Sequence, residues 1–96
     1  MNSKELDNLR QEINNIDDEM IKLFKRRMDI VRGVAEYKIK NDMEVLDKSR
    51  EDYIINQYTS DIEEMGLKKE VTEFILAMLK ISRDAQSEII KRSCNK

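Results

Sequence analysis

The stretch LFKRRMDIVRGVAEYKIKN, residues 23–41, decides the fold. Counting back from Tyr37 alternately by three and four lands on Val34, Ile30, Arg27, Leu23, Met20, Ile16, Ile13, Leu9 and Leu6. Nine of those ten positions are apolar and the tenth is arginine. That spacing is the seam of an α-helix, and with no proline in the chain nothing interrupts it. It predicts a helix from about Ser3, as N-cap, to about Asn41. At 1.5 Å per residue such a helix is roughly 58 Å long. A globule of 96 residues is only about 32 Å across. The seam therefore outruns any core the chain can build alone, and a partner chain is expected to cover it.

Working outward, "NDMEVLDKSRED" (41–52) breaks the pattern and offers Asp47 as the N-cap of a second helix, over about 48–65. Its inward stripe would be Ile55, Tyr58, Ile62 and Met65, with Ile54 alongside, and Gly66 would end it as a C′ glycine. A third helix is expected over about 68–93, with a stripe of Val71, Phe74, Ile75, Met78, Leu79, Ile81, Ala85 and Ile89. The expectation is one all-α domain over residues 1–96: three helices, the first very long, in an intertwined homodimer.

Composition narrows the function classes. Charged residues make up 40% and aromatics 5%, but the helical recurrence of Leu, Ile, Val and Met argues for a folded helical protein rather than a disordered one. The net charge of -2 gives no reason to expect nucleic acid, and "KRR" at 25–27 is short and has no aromatic interleaving. Cys94 stands alone, so no disulfide forms within the chain. There is no histidine, which removes the usual general base and the commonest metal ligand. The opening residues are polar, and no apolar run approaches the roughly 20 residues that span a bilayer. A cytoplasmic protein without membrane attachment is expected.

Arg27 is not the only polar residue on an apolar stripe. Extending the second helix's stripe back through Ile55 reaches Glu51, and on the third helix Ile75, Leu79, Ser82, Gln86 and Ile89 share a face. Arg10 and Lys38 flank the long seam. Taken singly, each has a structural reading. Arg10 and Lys38 can snorkel at the seam edge. Arg27 can fix the register of a helix pair. Glu51 suits the first turn of a helix, Asp47 is a cap, and Ser82 and Gln86 can be hydrogen-bonded core residues.

Taken together they converge. Arg27 and Lys38 are 11 residues apart, close to three turns, on one face and about 16 Å apart along the axis. Long side chains leaning together leave a gap that fits a small anion. Arg10 lies about 26 Å from Arg27 on the same helix, too far to share a ligand. If two antiparallel helices cross near residues 20–22, Arg10 of the partner subunit arrives beside residues 32–34, within that gap. Two equivalent pockets for a small, multiply charged anion follow.

With those residues in place, the chain resembles the all-helical class of chorismate mutase. The resemblance covers nearly the whole length and rests on LDNLRQEINNIDDEMIKLFKRRMDIVRGVAEYK (6–38), VLDKSRE (45–51) and ISRDAQ (81–86). It implies an intertwined dimer of three-helix chains with Arg10 donated across the dimer. The substrate implied is the dianion chorismate, with no cofactor and no metal. Arg27 and Arg10 of the partner subunit would clamp the carboxylates. Lys38 and Gln86 would donate to the ether oxygen, Glu51 and Asp47 would serve the ring hydroxyl region, and Ser82 a carboxylate. Arg50 would be supporting charge. The product would be prephenate, on the route to phenylalanine and tyrosine. The family often carries proline shortly before the aspartate motif, where this chain has "NDMEVLD". Two alternatives stand beside this reading: an isochorismate-pyruvate lyase of the same fold, and a non-catalytic helical dimerisation module.

Overall fold

The computed structural model describes residues 3–60 and 66–94. It contains three helices, α1 (Ser3–Lys40), α2 (Lys48–Thr59) and α3 (Lys68–Cys94), and no strand among the described residues. The all-α class read from the periodicity is what the chain adopts. The first helix begins at Ser3 itself, one position earlier than a capping Ser3 would allow.

The chain divides into two compact units, Met1–Ile30 and Val31–Lys96, each described by itself. The first is the greater part of α1, and its seam lies in solvent. Leu9, Ile13, Ile16, Leu23 and Ile30 are 44%, 55%, 57%, 58% and 70% exposed. These side chains follow the helical period.

The second unit holds the core. Val31 and Ala35 at the end of α1, and Ile75 and Leu79 of α3, are its buried apolar residues. α2 packs against α3, with Ile54, Ile55, Val71, Met78, Ala85 and Ile89 half-buried. Three polar residues, Thr59, Ser82 and Gln86, are buried among them.

Local chemistry explains the element ends. α1 stops in a left-handed turn at Asp42, whose φ is 52°. The Asp42 N–H donates to the Ile39 carbonyl (3.4 Å) and the Met43 N–H to the Lys38 carbonyl (2.9 Å). This pair of bonds is the Schellman closure usually built on glycine; aspartate is among the few other residues that enter this region readily. The proline-free loop is thus shaped by a helix cap. α2 starts where expected: Asp47 is extended, and its Oδ1 accepts from the Arg50 N–H at 3.0 Å.

Several expectations are corrected. Within the described residues α2 runs from Lys48 to Thr59, with Ser60 as its C-cap, and the expected continuation to about residue 65 lies outside the described residues. Ile62 and Met65 lie outside the described residues, and with them the test of Gly66 as the C′ residue of that helix. Gly66 does adopt a φ of 70°. Tyr58 is not inward-facing but half in solvent; the buried neighbour is Thr59, whose hydroxyl donates to the Ile55 carbonyl at 2.7 Å. On α3, Phe74 and Ile81 belong to the expected stripe yet are exposed, on the outer edge of a face whose centre is Ile75, Leu79, Ser82 and Gln86.

Candidate active site

The expected site residues divide between the two units. Arg10 and Arg27 lie on the first. Arg10 is exposed, while Arg27 is half-buried in an open concave patch lined also by Leu23, Arg26, Asp29 and Ile30. Lys38, Asp47, Glu51, Ser82 and Gln86 all lie on the second unit.

Lys38, in the last turn of α1, is half-buried, and its ammonium donates to the Val45 carbonyl at 2.7 Å. The loop that follows the Schellman turn therefore returns over the lysine it has just left. An ammonium has three donors, so this bond fixes the group while leaving it able to donate further. Two residues beyond Val45 stands Asp47. Its carboxyl is held below the usual carboxylate range, first by the backbone N–H of Arg50 and then by the Ser49 hydroxyl at 2.9 Å, with the charges of Lys38 and Arg50 adding to the effect. Asp47 is thus a cap and a fixed negative charge near Lys38. Arg50 is exposed and lies over the ring of Tyr53, 5.6 Å from its centre, a position that suits supporting charge.

Glu51, in the first turn of α2, is half-buried and accepts a 2.5 Å hydrogen bond from Arg83 Nη1 on α3. Ser82, the residue before Arg83, is buried and donates to the Met78 carbonyl at 3.0 Å. Gln86, one turn further on, is 7% exposed, and its Oε1 is buried with no hydrogen-bond partner. A buried amide oxygen without a partner costs about 1–3 kcal/mol. A packed core seldom keeps such a group, whereas a binding site waiting for a ligand does. Rotation of the amide by half a turn exchanges its oxygen for its NH2, so the same position can accept or donate.

The stripe reading thus placed Ser82 and Gln86 correctly as polar residues on a buried face. It passed over Arg83, which sits one position off that face. Among the described residues no group of three or more acidic, histidine or cysteine side chains is arranged to hold a metal ion, and no helix is long and apolar enough to cross a membrane.

Fold and site together define a class: an all-helical domain whose apolar helix faces are interrupted, at helical spacing, by cations, carboxylates and an amide. Within that class the chain matches the family model for chorismate mutase type II over residues 9–87, a span that includes all seven expected site residues, and it belongs to that family. It is 31% identical over 87 residues to a bifunctional chorismate mutase/prephenate dehydratase of Buchnera aphidicola subsp. Acyrthosiphon pisum. It is 30% identical over 87 residues to the protein of the same name from Buchnera aphidicola subsp. Schizaphis graminum. In both cases the match takes in 90% of this chain and 23% of the relative, so the chain spans under a quarter of the length of these curated relatives. No solved structure matches it.

Proposed function

We propose that this chain is a chorismate mutase that works as a homodimer, rearranging chorismate to prephenate. The observation that carries the reading is the buried Gln86 Oε1 without a hydrogen-bond partner, one turn from buried Ser82, in a chain of the chorismate mutase type II family. The reaction is a unimolecular Claisen rearrangement: the ether C–O bond breaks as a C–C bond forms, with no proton abstracted and no covalent intermediate. A chain without histidine suits it. The protein must hold the compact reactive conformer and stabilise the negative charge growing on the ether oxygen.

In this proposal Lys38 and the Gln86 NH2 donate to the ether oxygen. Arg27 and Arg10 of the partner subunit grip the two carboxylates through their planar forks, and Ser82 assists at a carboxylate. Glu51 and Asp47 serve the ring hydroxyl region. An acceleration of about 10⁶-fold needs some 8 kcal/mol of transition-state stabilisation, within reach of several charged contacts in a site closed to water.

The exposed seam supports the dimer. Monomeric proteins rarely leave contiguous apolar patches of more than a few hundred Å² in water, and here the seam from Leu6 to Ile30 is uncovered in the single chain. A continuous absorbance assay of the purified chain with chorismate, with the product identified as prephenate, tests the function. Turnover lost in Lys38→Ala, which removes a donor to the ether oxygen, is the expected result. No turnover by a folded wild-type dimer would refute it, and release of pyruvate from isochorismate would then identify the lyase instead.

A further inference from the structure

We propose that Arg83 is a positioning residue of this site: it holds the Glu51 carboxylate in the orientation that receives the substrate's ring hydroxyl. The inference rests on the mutase reading above and goes beyond it, because that reading assigns Arg83 no role.

The geometry separates this ion pair from the others. Lys48–Asp52, Lys80–Asp84 and Arg92–Glu88 each join residues four apart on one helix, with every side chain more than half exposed. Pairs of that kind contribute little order. Arg83–Glu51 joins α3 to α2 across 32 residues, with side chains only 33% and 19% exposed. The contact is 2.5 Å and runs from Nη1 to one carboxylate oxygen, Oε1.

Single attachment leaves Oε2 without a protein partner among the described residues. A glutamate in the first turn of a helix has three side-chain torsions and, unpaired, would spread over several rotamers. Pinned through Oε1, it presents Oε2 as one fixed acceptor. Arg83 follows buried Ser82 on the helix that carries Gln86 and is itself half-buried. A rigid guanidinium fork sets direction in a way that a flexible ammonium does not. The pair therefore ties the acceptor for the hydroxyl end of the substrate to the helix that supplies the amide for the ether end. Preorganised distance between two such groups is what a reaction governed by orientation requires.

The test measures kcat and KM for the wild type, Arg83→Ala, Arg83→Lys, Glu51→Gln and the double variant Arg83→Ala/Glu51→Gln. Two substrates are used: chorismate, and the chorismate analogue with hydrogen in place of the ring hydroxyl. Thermal midpoints are recorded for every variant. Arg83→Ala is expected to lower kcat/KM on chorismate by about 10- to 100-fold, the range for a misplaced contacting group. It should have little effect on the analogue, which has no hydroxyl for Glu51 to receive. In the Glu51→Gln background the same change should add nothing, because residues acting through one group are not additive. Arg83→Lys should restore part of the loss. Should Arg83→Ala fail to fold, Arg83→Lys supplies the same comparison of substrates. Equal losses on both substrates, or a full further loss in the Glu51→Gln background, would overturn the role. An active wild type with an unaffected Arg83→Ala variant would overturn this role alone. A wild type that leaves both substrates unchanged would overturn the mutase reading and this inference with it.

Discussion

From Leu6 to Ile30 the first helix keeps its apolar seam in solvent, with Ile16 57% and Ile30 70% exposed, whereas from Val31 onward the chain buries Val31, Ala35, Ile75 and Leu79. Both regions follow the same helical period. The second folds back on itself, α2 against α3, and covers its own face; the first is a single helix with nothing in its own unit to pack against. A seam's period therefore states which face will be buried but not what buries it. In this protein the uncovered region also carries the two arginines, Arg10 and Arg27, whereas the self-covering region carries Lys38, Asp47, Glu51, Ser82 and Gln86. If a second copy covers the seam, the event that completes the core of the first unit brings more cations to the site.

The largest effect should come from placing a charge in the uncovered seam. In a free helix Ile16→Asp is an exposed surface change, within about 0.5 kcal/mol of neutral. In a covered seam it buries an unpaired carboxylate twice per dimer, a cost of several kcal/mol. Analytical ultracentrifugation should show the variant as a monomer without mutase activity, against a dimeric wild type. A variant that stays dimeric would place the interface elsewhere.

A smaller effect is expected at the loop joining the two kinds of residue. Asp47 caps α2, and its carboxyl is held below the ordinary range by the Arg50 N–H. A carboxyl depressed in the folded state stabilises above its unfolded pKa, and this contribution is lost as pH falls through the folded value. Asp47→Ala should lower the thermal midpoint by a few degrees at pH 7. The gap between variant and wild type should close below the ordinary carboxylate range. A gap that stays constant down to pH 2 would show that the cap acts without its charge.

The smallest effect is expected at Gly33, in the helix interior. A Cβ there meets nothing within 4 Å in its own chain, so no neighbour in the single chain opposes a methyl group at this position. Gly33→Ala should stabilise by up to about 1 kcal/mol, read as a higher denaturation midpoint. A lower midpoint would reveal backbone approach by the partner subunit at this point.

Much of this architecture was legible in the sequence because α1 and α3 are long and strongly periodic, and because Asp47 is followed by a helix that needs a cap. Ser82 and Gln86 could be placed on a buried face for the same reason: they interrupt an apolar stripe without leaving its period. The inward face of α2 was misread at one position. Positions 58 and 59, three and four residues after Ile55, flank its direction on opposite sides, and a reading by hydrophobicity favours tyrosine over the threonine that is actually buried. Arg83 was hidden because its partner lies 32 residues away, a distance that local periodicity does not reach. The cap at Asp42 was hidden because the residue occupying the left-handed position is not a glycine.

The central claim is that each site combines Arg27 of one chain with Arg10 of the partner subunit, and mixing two inactive variants tests it directly. Arg10→Ala and Arg27→Ala are prepared separately, shown to be folded dimers, then unfolded together and refolded as a mixture. A mixed dimer built as proposed has one site lacking both arginines and one site complete. Random pairing in a two-fold dimer should therefore return about a quarter of wild-type mutase activity. If both arginines came from the same chain, every site in every dimer would lack one of them. A mixture as inactive as its components would contradict the account.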